Sequence, residues 1–105
     1  MAYGNIALFD ALGDPTRREI LEKLRAGPRA VGEIAAVMPI SRPAVSQHLK
    51  VLKDSGLVAE TRQGTRHYFA IAPEGIGELR AYLDGLWGDA LAAFARHVAQ
   101  REQER

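Results

Sequence analysis

Two helical patterns lie in the middle of the chain with almost nothing between them, and this spacing constrains the fold most strongly. The first places apolar residues at helical spacing over residues 31–38 and is closed by Pro39. The second begins at Ser41, which suits an N-cap, with Pro43 in the first turn, where no N–H is needed. Only Pro39 and Ile40 separate the patterns, so the sequence predicts two short helices joined by a tight turn.

The second of these helices is predicted to be amphipathic. Val45, Leu49 and Leu52 follow one another at i, i+4 and i+7, which places them on one core-facing stripe. Gly56 suits the left-handed position just after the end of a helix. The opposite face and its flanks carry polar, charged or proline side chains, namely Arg42, Pro43, Ser46, Gln47, Lys50, Lys53 and Asp54.

A β-hairpin is predicted directly after this helix. Residues 57–63 and 65–71 are rich in branched and aromatic side chains, and Gln63-Gly64 joins them. The tip of the hairpin is polar and basic, with Arg62, Thr65 and Arg66.

Two further helices are predicted at the N-terminus. The first covers residues 6–12 and ends at Gly13. Asp14 can then cap a second helix that has Pro15 at its first position and stops near residues 27–28.

A long helix is predicted after Pro73, with an apolar stripe from Ile76 to Val98. So long a stripe exceeds what a small body covers, and part of it is expected to meet a second chain. Gly85 and Gly88 interrupt the pattern, which indicates either a close approach of another helix or a kink. The polar tail, residues 100–105, is expected to fray.

Charge is distributed unevenly along the 105 residues. The balance of 14 basic and 13 acidic side chains, a net charge of +1, by itself argues against nucleic acid as a partner. Residues 41–66, however, carry five basic side chains against two acidic ones, whereas residues 1–40 are balanced and residues 67–105 have an acidic excess. The predicted second helix and hairpin therefore share a basic segment.

These elements predict one domain, residues 1–105, that is mainly α with a small β-hairpin: a dimeric winged helix-turn-helix. This geometry reads duplex DNA, because a helix fits the major groove and its polar side chains reach base edges. Gln47 can pair with adenine, Arg42 or Lys50 with guanine, and Ser46 with a base or a phosphate. Ser41 and Pro43 complete the expected groove contacts, and Arg62, Thr65 and Arg66 on the hairpin are expected to meet phosphates or the minor groove.

Three segments resemble the ArsR/SmtB repressors, which are dimeric winged-helix regulators. They are Ala-Leu-Gly-Asp-Pro-Thr-Arg-Arg-Glu-Ile-Leu at residues 11–21, Ser-Arg-Pro-Ala-Val-Ser-Gln-His-Leu-Lys-Val-Leu at residues 41–52, and Ser-Gly-Leu-Val at residues 55–58. The resemblance covers about residues 6–98. It implies that the first and last helices form the dimer interface and that Thr16 and Arg17 approach the DNA backbone. The expected interface side chains are Ile6, Phe9, Leu83, Leu86, Trp87, Leu91 and Phe94.

Metal sensing is disfavoured, although many members of the resembled family sense metals. The chain has no cysteine, which excludes a thiolate site and a disulfide framework. The nearest match to the family's other site, on the last helix, is Asp84 with His97, and it lacks half of the ligands. His48 is expected to be a half-buried packing residue, and His67 to have a surface role or a phosphate contact. The chain is similar to the subgroup without recognised metal or thiol sites, and we expect no cofactor.

The sequence therefore predicts a homodimeric transcriptional repressor that binds a roughly palindromic operator in double-stranded DNA. One alternative is a sensor of the same fold that a metal or small molecule releases from DNA, with the inducer unknown. Another is a winged-helix module for protein contacts, which Gln47 and Lys50 disfavour. Ser41 and Ser46 lack the spaced base and acid partners of a nucleophilic triad, so no enzyme is predicted. No membrane span or export signal is visible, and a cytoplasmic location is expected.

Overall fold

The computed structural model describes residues 2–104, with side chains from Ile6 onward. Within this range the chain forms five helices and three strands, as predicted for a mainly α fold with a hairpin. Their bounds are α1 Ala2–Leu12, α2 Pro15–Leu24, β1 Arg29–Ala30, α3 Val31–Ala35, α4 Arg42–Asp54, β2 Val58–Gln63, β3 Arg66–Ile71 and α5 Pro73–Gln103.

The predicted helix starts are confirmed for α2 and α4. The Asp14 carboxylate accepts the N–H of Thr16 at 2.7 Å, and the Ser41 hydroxyl accepts the N–H of Ala44 at 3.2 Å. Each bond satisfies a backbone donor that has no partner inside its helix. These two caps set where α2 and α4 begin.

The core surrounds the apolar stripe of α4. Val45, Leu49 and Leu52 are all 0% exposed, as the amphipathic pattern predicts. They belong to one cluster with side chains from the other helices and the hairpin, including Leu8, Ile20, Leu24, Ile34, Leu57 and Phe69. The polar face of α4 is therefore held outward by a fully buried opposite face.

The prediction of only two residues between α3 and α4 is wrong. The α-helix α3 ends at Ala35, and the connection to α4 comprises residues 36–41. Pro39 has no N–H to donate to the Ala35 carbonyl, four residues earlier, and its ring would clash with that carbonyl in a continuing helix. The chain tightens instead, and the Met38 N–H donates to the Ala35 carbonyl at 3.4 Å. Met38 still reaches the core, where it is 8% exposed.

A third strand, absent from the sequence prediction, joins the hairpin. Strand β1 pairs antiparallel with β3, opposite Phe69 and Tyr68, so the sheet order is β1-β3-β2. Two residues are too short to show an alternating pattern, which is why β1 escaped prediction. It ties the start of α3 to the hairpin.

The start of α5 packs tightly against the turn between α4 and β2. A methyl group on Gly75 would clash with the carbonyl oxygen of Gly56, so no larger residue fits at position 75 without movement of the backbone. Gly56 has a φ of +91°, which confirms its predicted left-handed position. This contact is invisible in the sequence pattern because it joins residues far apart in the chain.

Helix α5 is longer than predicted and largely uncovered. It runs through Gly85 and Gly88 to Gln103, so the segment that we expect to fray begins inside the helix; Arg105 lies outside the described residues. Arg, Glu and Gln are good helix formers, which lets the polar end continue the helix. No other part of the described chain comes within 4 Å of a methyl placed on either glycine. The molecule is elongated, 69 × 26 × 24 Å.

Candidate nucleic-acid interface

The polar face of α4 is open to solvent, as predicted. Pro43, Ser46, Gln47 and Lys50 are all exposed, opposite the buried stripe. The Lys50 ammonium donates to the Asp54 carboxylate at 2.8 Å, and this contact raises the pKa of Lys50. Pro43 in the first turn leaves α4 intact. The face presents side chains that can donate to and accept from base edges.

An open cleft of about 600 Å³ brings α4 and the hairpin together. Arg42 and Ser46 border it from α4, and Thr65 and Arg66 border it from the hairpin. The guanidinium of Arg42 also lies over Gly32 at the start of α3, within 3.6 Å of a methyl placed there. The sequence placed these residues on separate elements; the fold places them around one opening.

The hairpin tip is exposed and basic. Arg62, Thr65 and Arg66 are accessible to solvent, with Gly64 and Thr65 forming the turn. The Arg66 guanidinium donates to the Tyr68 hydroxyl at 3.4 Å, which raises the pKa of Arg66 further. The tip therefore carries two permanent positive charges, and Arg66 is the one that borders the cleft.

A charged cluster that sequence reasoning missed joins α4 to the hairpin. The Glu60 carboxylate accepts a hydrogen bond from the Lys53 ammonium at 2.8 Å. Its other oxygen lies 2.5 Å from the Nδ1 atom of His67. Hydrogen bonds from Lys53 and then from His67 hold the pKa of Glu60 below its ordinary value, although partial burial opposes them. A hairpin that turns near Gly64 puts residues 60 and 67 on one face, so the sequence carried a signal for half of the cluster.

Thr16 and Arg17 lie at the junction of α1 and α2. The Arg17 guanidinium donates to the carbonyls of Ala11 at 2.7 Å and Asp10 at 2.9 Å, at the end of α1. Burial of the Asp14 carboxyl raises its pKa, but the amides of Thr16 and Arg17 and the Arg17 charge bring the pKa below its ordinary value. Arg17 thus has structural partners, and Thr16 is half-exposed.

The side chains expected at a dimer interface are exposed in the single chain. They cover one side of α1 and α5, and their exposed fractions range from 38% for Phe9 to 67% for Trp87. Phe9 also contacts Tyr82 edge to face, with ring centroids 5.3 Å apart, which joins the two helices. The whole set is Ile6, Phe9, Leu83, Leu86, Trp87, Leu91 and Phe94.

Within one described chain, no three His, Cys, Asp or Glu side chains are grouped closely enough to hold a metal ion. Asp84 forms an ion pair with Arg80 at 3.7 Å on the surface of α5, and His97 is exposed. His48 is half-buried, as expected. Across residues 2–104, no helix is long and apolar enough to cross a membrane.

A helix-turn-helix with a polar second helix, followed by a basic-tipped hairpin on the same cleft, defines a winged helix-turn-helix DNA-binding protein. Residues 14–60 match the family described as bacterial regulatory protein, arsR family. The chain is 51% identical over 90 residues to the HTH-type transcriptional regulator Rv2034 of Mycobacterium tuberculosis, covering 86% of this chain and 84% of that protein. The chain belongs to the ArsR family of DNA-binding transcription regulators, which are not enzymes.

Other relatives agree with this assignment. The transcriptional repressor SdpR of Bacillus subtilis is 39% identical over 64 residues, which are 61% of this chain and 71% of that protein. An ArsR-like transcriptional regulator from Rhodococcus has a similar structure, with a TM-score of 0.78, 28% identity and coverage of 89% and 91%. The homodimeric winged helix-turn-helix domain of Mb0332 from Mycobacterium bovis has a TM-score of 0.69, 33% identity and coverage of 84% and 82%.

Proposed function

We propose that this protein is a cytoplasmic repressor that binds a roughly palindromic operator as a homodimer, with α4 of each protomer in successive major grooves. The observation that carries this proposal is the shared cleft, where exposed polar residues of α4 and the basic hairpin tip face one opening. Half-sites about 34–36 Å apart follow from two-fold symmetry on B-DNA. The relative SdpR, a transcriptional repressor, supports the repressor assignment.

The polar face of α4 and the hairpin tip have different roles in this proposal. Gln47 reads adenine, while Arg42 and Lys50 are the candidates for guanine. Ser46 contacts a base or a phosphate, and Pro43 makes an apolar contact with a base. Ser41 caps α4 and also contacts the DNA at the groove. On the hairpin, Arg62, Thr65 and Arg66 contact DNA phosphates or the minor groove. Thr16 contacts the phosphate backbone of the DNA. Arg17 is the weakest member of the predicted set because α1 engages its guanidinium.

The exposed apolar side of α1 and α5 supports the homodimer. Leu83, Leu86, Trp87, Leu91 and Phe94 are each at least 50% exposed, and monomeric proteins rarely leave so continuous an apolar patch open. The homodimeric Mb0332 domain has the same fold. A second copy of this chain is therefore the proposed cover, with Ile6 and Phe9 at its edge.

Selection of duplexes from a random DNA pool, with and without zinc, tests the proposal. On the selected duplex, Gln47→Ala is expected to lose about 1–3 kcal/mol of binding free energy, with little change on a scrambled duplex. Arg66→Ala is the matched control for a phosphate contact: it should weaken both duplexes and reduce the salt slope by about one. Equal losses for Gln47→Ala on both duplexes would contradict base reading, and release by zinc would favour the sensor alternative.

A further inference from the structure

Glu60 is out of place in a DNA-binding surface. Residues 41–66 contain only two acidic side chains, Asp54 and Glu60, and each repels the phosphates that the neighbouring basic residues attract. Asp54 is 62% exposed and pairs with Lys50 of its own helix. The Glu60 side chain is only 22% exposed and pairs with residues of two other elements. The two carboxylates therefore have different structural roles.

The contacts of Glu60 bridge α4, the proposed base-reading helix, and the hairpin. Arg42, Ser46 and Lys53 recur at i, i+4 and i+11, so they lie along the flank of α4 that borders the hairpin. Lys53 approaches Glu60 of β2 from that flank, and His67 approaches it from β3. The Glu60 carboxylate thus pairs with one side chain of α4 and with one side chain of the neighbouring strand β3.

The hairpin of β2 and β3 is the wing of this fold, and the position of Glu60 on it connects the bridge to the wing tip, residues 62–66. Glu60 is opposite Phe69 and Arg62 is opposite His67, so all four side chains are on the same face of the hairpin. Phe69 anchors one end of this face in the core, where it is 8% exposed. Arg62 lies at the other end of this face. Glu60 lies between Phe69 and Arg62, and its ion pair with Lys53 connects this face to α4.

We propose that Glu60 is a positioning residue for DNA recognition, which holds the wing against α4 through Lys53 and His67 so that the wing tip and the base-reading face meet the duplex in register. This inference goes beyond DNA binding itself and rests on the proposed reading of bases by α4. It predicts that loss of the Glu60 charge weakens sequence-specific binding, although it removes a charge that repels DNA.

The sign of the effect separates positioning from electrostatics. Glu60→Gln keeps the size of the side chain and should weaken binding to the duplex selected by the wild-type protein about three- to tenfold. Binding to a scrambled duplex should stay equal or become tighter, because one repulsive charge is lost. Asp54→Asn is the matched control, since it also removes a carboxylate paired with an α4 lysine; it should leave both affinities equal or tighter.

Thermal unfolding without DNA shows whether Glu60→Gln affects folding, and His67→Gln tests the bridge independently of that substitution. His67→Gln breaks one half of the bridge and should give a smaller loss, again only on the selected duplex. In a double-mutant cycle, Lys53→Gln combined with Glu60→Gln should lose less affinity than the two single losses together. Additive losses would mean that Lys53 acts on DNA alone and would overturn the bridge.

Each remaining outcome is decisive. Binding of Glu60→Gln to the selected duplex that equals or exceeds that of the wild type would overturn this inference and leave the proposed base reading intact. Failure of the wild-type protein to enrich any duplex would overturn both.

Discussion

Helices α4 and α5 have the same kind of apolar repeat but opposite surroundings. In α4, Val45, Leu49 and Leu52 are completely buried against the rest of the chain. In α5, the side chains from Leu83 to Phe94 at the same three- and four-residue steps are half or more exposed. The repeat specifies which side of a helix is apolar, but it does not specify what covers that side.

The difference follows from the place of each helix in the molecule. Helix α4 has 13 residues and is surrounded by α2, α3 and the hairpin, whereas α5 has 31 residues and contacts α1. At about 1.5 Å per residue, α5 is about 45 Å long, nearly twice the 24–26 Å width of the molecule. The chain therefore cannot cover α5 by itself, and its open side is available to a second copy.

The largest expected effect comes from the buried side of α4. Leu49→Ala should reduce the free energy of unfolding by about 2–5 kcal/mol, because it leaves a cavity in a fully packed core. Denaturant unfolding measures this loss. Val51→Ala on the same helix is the control: Val51 is 42% exposed, so its loss should be well below 1 kcal/mol. Similar losses for both variants would mean that α4 is not packed as the structure describes.

A second prediction concerns the open side of α5. Trp87→Ala should weaken the dimer by about 2 kcal/mol or more, roughly thirtyfold in dissociation constant, because exposed aromatic residues dominate interfaces. Sedimentation over a concentration series measures it. Arg96→Ala, on an exposed side chain nine residues from Trp87 and therefore on the opposite side of α5, should leave the dimer unchanged. A wild-type protein that stays monomeric at micromolar concentration would contradict both the dimer and the palindrome.

The smallest expected effect concerns how the two helices begin. The Ser41 hydroxyl caps α4, but α5 has no side-chain cap at Ala72. Ser41→Ala should therefore reduce the free energy of unfolding by about 0.5–2 kcal/mol, as seen in thermal or denaturant unfolding without DNA. Ser41→Asp retains an acceptor and should stay within about 0.5 kcal/mol of the wild type. Equal losses for Ala and Asp would show that the cap is not what stabilises this end of α4.

The sequence allowed prediction of those features that depend on neighbouring residues. Asp14 and Ser41 predict helix starts because the side chain of each accepts a hydrogen bond from an amide two or three residues further along the chain. The stripe of α4 and the hairpin likewise follow from local periodicity. The end of α3 was misplaced because Pro39 cannot donate to the Ala35 carbonyl, which ends the helix although the apolar spacing continues to Met38.

The features that escaped prediction all depend on distant residues. Strand β1 forms only because β3 is present to pair with it. The contact of Gly75 with Gly56 needs α5 to return to the end of α4. Neither has a periodic signal, since each is a meeting of two short segments rather than a property of one.

By itself, the sequence determined the helices, the hairpin, the basic segment at residues 41–66 and the face of α4 that must be polar, because capping, periodicity and charge are local. Only the tertiary structure decided that Arg42 and Ser46 share a cleft with the hairpin tip and that the Glu60 carboxylate pairs with both Lys53 and His67. The physical reason is that burial and ion pairing depend on which surfaces come into contact, and these contacts form only when the helices and strands pack together.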